Sequence, residues 1–158
     1  MRRMGMATLL LLAAGIATPF TGYAAGDLKI GKWKLRADPP ARGTREYVDR
    51  GDGLTVSIRQ GVNARGQEYY SAYAAKVDGK EYPRAVKGSD VVNTIAFTRV
   101  DADTVAYTLR ENGKVTATGT TTVSRDGKVL TVMTKNVNAT GPGNTEIYDR
   151  VDEVSLGR

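Results

Sequence analysis

Any chemistry in this chain has to be done without histidine or cysteine, because neither occurs among its 158 residues. Ser-His-Asp and Cys-His nucleophile systems are out of reach, and so are zinc, copper, non-haem iron and haem sites built on imidazole. Carboxylate-pair hydrolysis, Tyr or Lys chemistry and non-covalent binding remain. The residues favour binding, and no catalytic residue, metal or cofactor is expected. Tyrosine is the richest aromatic type, with eight residues. Tyr107 and Tyr148 are the first candidates to line an interior, with Tyr73 and Tyr69 behind them. Such rings give a cavity apolar walls and a few orienting hydroxyls, or else they are ordinary sheet packing. Glu146 stands on the same alternating face as Tyr148. A carboxylate on an inner face must be solvated, paired or protonated. Pairing with Arg150, four residues on and on the same alternating face, is the favoured reading, and receipt of a cationic or hydroxylated ligand is the other. Asp49 with Asp52, and Asp101 with Asp103, lack the spaced oxygen ligands of a calcium loop and read as turn acids.

The elements that must position these residues are strands. From residue 28 onward the pattern has period two, with turn signals at Asp52-Gly53, Arg65-Gly66, Asp78-Gly79, Asn112-Gly113 and Asp126-Gly127. Strands are expected near 29–37, 44–50, 53–60, 68–77, 81–86, 92–100, 103–111, 114–124, 128–137 and 144–151. Thr, Val and Tyr crowd them, as suits a pleated surface. No segment after the N-terminal apolar run carries a 3.6-residue stripe. Eight to ten strands joined by short hairpins make an antiparallel up-and-down meander. Closure into a barrel removes the two edges that an open sheet would expose. Val105, Tyr107 and Leu109 share one face, as do Ile95 and Phe97, and as do Leu54, Val56 and Ile58. The expectation is that these apolar sets face the interior. The direction of the Tyr69, Ser71, Tyr73 and Ala75 face is left open.

The N-terminus carries an export signal. Arg2 and Arg3 precede an apolar run over residues 7–17, which is shorter than the roughly 18–20 residues that span a bilayer. Small residues allow cleavage after Ala24 or after Gly26, so residues 1–24 read as a signal peptide and 25–158 as one β-barrel domain. The mature protein is then periplasmic or secreted, with no transmembrane segment left. Loss of Arg2 and Arg3 leaves 21 basic against 17 acidic residues, and the net charge falls from +6 to +4. The basic residues are scattered among acids, with no run of five like charges. Nucleic-acid binding gains no support from such a distribution.

Closing a meander makes its first and last strands neighbours. Gly31-Lys32-Trp33 holds the only Trp, and Thr145-Glu146-Ile147-Tyr148-Asp149-Arg150 ends the last strand. The Arg150 guanidinium is expected over the Trp33 indole, a contact worth about 0.5–2 kcal/mol. Gly31 would allow close passage there. Gly31, Trp33 and Arg150 therefore read as structural closure residues.

Gly31-x-Trp33 paired with a basic residue in the last strand resembles the calycin superfamily of lipocalins and fatty-acid-binding proteins. Asn112-Gly113-Lys114, Asp126-Gly127-Lys128-Val129-Leu130-Thr131-Val132 and Ile147-Tyr148-Asp149-Arg150 resemble the final strands of fatty-acid-binding proteins. The mature chain is also similar to exported bacterial lipocalin-like proteins without assigned function. The resemblance implies a barrel that holds a small molecule. Three departures limit it. The stretch 37–44 is too short for the helical pair that covers one mouth of a fatty-acid-binding protein. Glu146 stands where that family places a carboxylate-binding Arg, and it would repel a carboxylate. The His of haem-binding relatives is missing. The expected function is an exported protein holding a small, largely apolar or amphipathic ligand inside the barrel. A filled, ligand-free barrel acting as an envelope interaction module is the alternative, and an enzyme ranks below both.

Overall fold

The computed structural model describes residues 29–151, and the expected signal peptide with its expected cleavage sites lies outside them. Ten strands run in chain order: β1 (Gly31–Leu35), β2 (Arg42–Asp49), β3 (Thr55–Val62), β4 (Glu68–Ala75), β5 (Glu81–Val86), β6 (Asn93–Arg99), β7 (Thr104–Glu111), β8 (Lys114–Val123), β9 (Val129–Asn136) and β10 (Asn144–Val151). Every one falls on an expected segment, with no end displaced by more than two residues. The glycines of the five turn signals all take positive φ, between 70° and 79°, as tight hairpin turns require. Each strand pairs antiparallel with its chain neighbours, and β1 pairs with β10. The meander is a closed barrel without edges. Among the described residues no helix is long and apolar enough to cross a membrane.

The seam between β1 and β10 aligns Trp33 with Arg150 and Leu35 with Tyr148. Trp33 is fully buried. The Arg150 guanidinium lies 4.2 Å from its ring centroid. Arg150 also donates to the carbonyls of Ile30 (2.8 Å) and Gly127 (2.5 Å), and the indole N–H donates to the Lys29 carbonyl at 2.8 Å. One side chain thus ties the lead-in to β1, the indole and the β8–β9 turn together. It is the guanidinium, more than the indole, that needs Gly31. The glycine has φ 129°, and a Cβ there would come within 2.7 Å of Arg150 Nη1.

Inward faces follow the alternation on most strands. Ile95 and Phe97 of β6, Val105 and Tyr107 of β7, Leu130 and Val132 of β9 and Tyr148 of β10 are buried. Strand β3 reverses the expectation. Ser57 is buried, while Val56 and Ile58 are only half-buried. Register explains the reversal. Ser57 aligns with Tyr47 on one side and Tyr73 on the other, so it shares their inward face. Val56 then aligns with Val48 and Ala74, giving the outer surface a small apolar stripe. The same register turns the Tyr69, Ser71, Tyr73 and Ala75 face inward. At the end of the barrel that holds Lys29, the interior is filled by Trp33, Tyr47, Tyr148, Leu130, Val105 and Val123.

Truncation of the seam is expected to be costly. Arg150→Ala should lower unfolding free energy by about 2–4 kcal/mol, the sum of a shielded cation–π contact and two charge-assisted hydrogen bonds. Arg150→Lys should recover less than half of that, because an ammonium cannot cover the ring and reach both carbonyls. Urea unfolding followed by Trp33 fluorescence measures both, and an Ala variant as stable as the wild type would refute the seam's role.

Candidate functional site

The register that turned β3 over also carries charge inside. Arg45 of β2 and Arg59 of β3 are aligned neighbours on the inner face. Like charges directly opposed across strands repel. Glu146 of β10 relieves them. It forms an ion pair with Arg59, and its other oxygen lies 3.5 Å from Arg45. The Tyr148 hydroxyl donates to Glu146 Oε2 at 2.9 Å. The expected Glu146–Arg150 pair is therefore corrected: the ionic partners of Glu146 come from β2 and β3, on the far side of β1, while Arg150 turns toward Trp33. Burial alone would push the Glu146 carboxyl up. The charge and hydrogen bond of Arg59, then Arg45 and the Tyr148 hydroxyl, outweigh burial and hold it below the usual carboxylate value.

Two of the cations also rest on rings. The Arg59 guanidinium lies 4.1 Å from the Tyr69 ring centroid and that of Arg45 lies 5.3 Å from Tyr148. Tyr69 lies flat against β2 and β3 because Gly43 and Gly61 lack the Cβ atoms that would meet its hydroxyl. Beneath them Lys29 is buried, its Nζ 5.5 Å from the Tyr47 ring centroid and 5.7 Å from that of Phe97. Burial lowers its pKa, Tyr47 works against that, and Arg99 and Arg45 reinforce it.

Above this floor the barrel is hollow. A cavity of about 570 Å³ runs from Arg45, Arg59 and Arg84 past an apolar wall of Ile95, Phe97, Leu109 and Val132 to Ala139, Gly141, Pro142 and Gly143 in the β9–β10 loop. Tyr73 and Phe97 pack with ring centroids 5.2 Å apart, and Phe97 and Tyr107 at 6.2 Å. The Tyr107 ring crosses Gly119, where a Cβ would collide with it. Its hydroxyl donates to the Met133 carbonyl at 2.9 Å and sits 2.5 Å from Thr134 Oγ1.

Of the residues singled out in sequence, Tyr73, Tyr107 and Glu146 line this cavity. Tyr148 is buried below it, joined to it through Glu146. Tyr69 lies beside it, under Arg59. Sequence reasoning missed Arg45, Arg59, Arg84 and Lys29. Arg45 and Arg59 each stand two residues from an inward Tyr47 or Ser57, but only register reveals those as inward. Glu146 is the single carboxylate on the cavity wall among the described residues. No group of three or more acidic side chains suited to a metal occurs among them.

The Glu146 shift has a measurable sign. In the unfolded chain it protonates near its ordinary value of 4.5, and in the barrel only at lower pH. Its contribution is whole above about pH 4.5 and is lost as the pH falls through the lower folded value. Glu146→Gln should be less stable at pH 7 by about 1–3 kcal/mol, since two guanidinium groups lose their counter-charge. It should also lose stability less steeply than the wild type below pH 4.5. Urea midpoints between pH 7 and pH 2.5 test this, and an unchanged acid slope would refute the ionised pairing. No protein-family model matches the chain, and no curated protein is significantly similar to it.

Proposed function

We propose that this protein holds one small amphipathic molecule reversibly inside the barrel, in a compartment beyond the cytoplasmic membrane. The observation that carries the reading is the hollow itself. Its volume of about 570 Å³ falls within the roughly 300–1,000 Å³ typical of small-molecule pockets. Burial of ligand surface against Ile95, Phe97, Leu109 and Val132 supplies affinity at about 25 cal/mol per Å². A purely apolar ligand would leave the guanidinium groups of the opposite wall dry and poorly paired, so the ligand has a polar end. This narrows the expectation of a largely apolar ligand. The ten-stranded closed meander is consistent with a calycin-like barrel, and the leader-like N-terminus supports export.

A filled interaction module suits the geometry less well, because only the end near Lys29 is packed with large side chains. Carboxylate-pair catalysis is also disfavoured, since the lone carboxylate on the cavity wall is held ionised by two arginines.

A neutral solvatochromic dye such as Nile red should bind the purified protein saturably at one molecule per chain. Leu109→Trp, which pushes an indole into the cavity, should weaken that binding at least about tenfold while unfolding stays cooperative. Absence of saturable binding in the wild type would overturn the reading.

A further inference from the structure

The cavity carries more positive charge than its own carboxylate can match. Arg45, Arg59 and Arg84 line it with Glu146, and Glu146 forms its ion pairs with Arg59 and Arg45. Arg84 forms no ion pair or hydrogen bond among the described residues. It is half-buried on β5, aligned with Tyr73 and therefore facing the interior near the apolar wall. The Nε donors of Arg45 and Arg59 are buried without partners as well. Lys29 adds a further buried cation in the floor, held by rings instead of a carboxylate. Concentrating guanidinium groups in a sheltered hollow is costly unless an anion joins them. Planar guanidinium forks suit oxyanions in particular.

We infer that the polar end of the ligand is an oxyanion, a carboxylate, sulfate or phosphate ester on an apolar body, and that Arg84 receives it. This rests on the cavity-binding reading above. In this reading Glu146 leaves room for a carboxylate, because its charge is already matched by two arginines and the wall keeps a cationic excess. The anchor differs from the last-strand position that the sequence resemblance suggested. It lies on β5, among donors from β2 and β3. Burial, then the like charge of Arg59 and after it Arg45, pull the Arg84 pKa below its ordinary value against Tyr73. An incoming anion would relieve that repulsion.

Displacement of Nile red at constant ionic strength tests the inference, with decanoate, decyl sulfate and decyl phosphate compared against decanol. For the wild type at least one decyl anion should displace the dye at a concentration about tenfold or more below that of decanol. The identity of the best anion separates carboxylate from sulfate and phosphate sources. In Arg84→Gln the advantage should shrink to about threefold or less through weaker displacement by the anion, Arg84→Lys should keep part of it, and Glu146→Gln should enlarge it. Decanol matching every anion on the wild type would overturn the anion while leaving the cavity reading intact. Full discrimination in Arg84→Gln would overturn Arg84 as the anchor. Failure of the dye to bind the wild type at all would remove the cavity reading itself.

Discussion

Everything inside this barrel depends on β1 and β10 lying edge to edge. With no disulfide available, closure has to come from backbone pairing and the side chains that lock it. Trp33 and Arg150 provide that lock. The guanidinium covers the indole and reaches two carbonyls on separate segments, so the ends of the sheet are joined by more than ladder hydrogen bonds. Gly31 leaves the space in which this happens. An open meander would expose two edges and could not shelter a hollow.

Closure divides the interior in two. Toward Lys29 large side chains interdigitate around Trp33, Tyr47 and Tyr148, and the barrel is a hydrophobic core. Toward the β9–β10 loop the walls separate, and arginine, tyrosine and one glutamate share the inner face with the apolar wall of Ile95, Phe97, Leu109 and Val132. Charges of this kind seldom add stability, because desolvation offsets most of their attraction. Glu146 makes the arrangement tolerable by bridging two arginines that would otherwise face each other unrelieved. Strand β5 is the least tightly fastened part of the wall, with three aligned pairs to β4 and three to β6, and it contains Pro83, which has no N–H to donate. Arg84 is carried on that strand. The site and the weakest ladder therefore coincide, as is common where binding draws on the less stable parts of a fold.

The strands were legible because two local signals agreed, period-two alternation and turn glycines that must take positive φ. The paired ends were legible because closure follows from strand order once every hairpin is short. The lining was harder to read. Alternation divides a strand into two faces but does not say which one is inside. The rule that apolar residues face inward worked for Ile95, Phe97, Val105 and Tyr107, which wall the core and cavity. It failed for Val56 and Ile58 because Ser57 is aligned with Tyr47 and Tyr73, and a hollow interior tolerates polar side chains. Glu146 reads as inward from the alternation, yet the partner that the sequence offers it is Arg150, four residues away. Its ionic partners lie 101 and 87 positions away in the sequence, at Arg45 and Arg59, and only the closed sheet brings them together.

The central claim is that the hollow attracts an anion from solution. X-ray data from a crystal soaked in sodium iodide, collected for anomalous scattering, test it most directly because iodide reports charge and shelter together. An iodide ion inside the cavity against the Arg84 guanidinium is the result this account predicts. A cavity without iodide, with ions only on outer lysines and Arg84 turned toward bulk water, would contradict it.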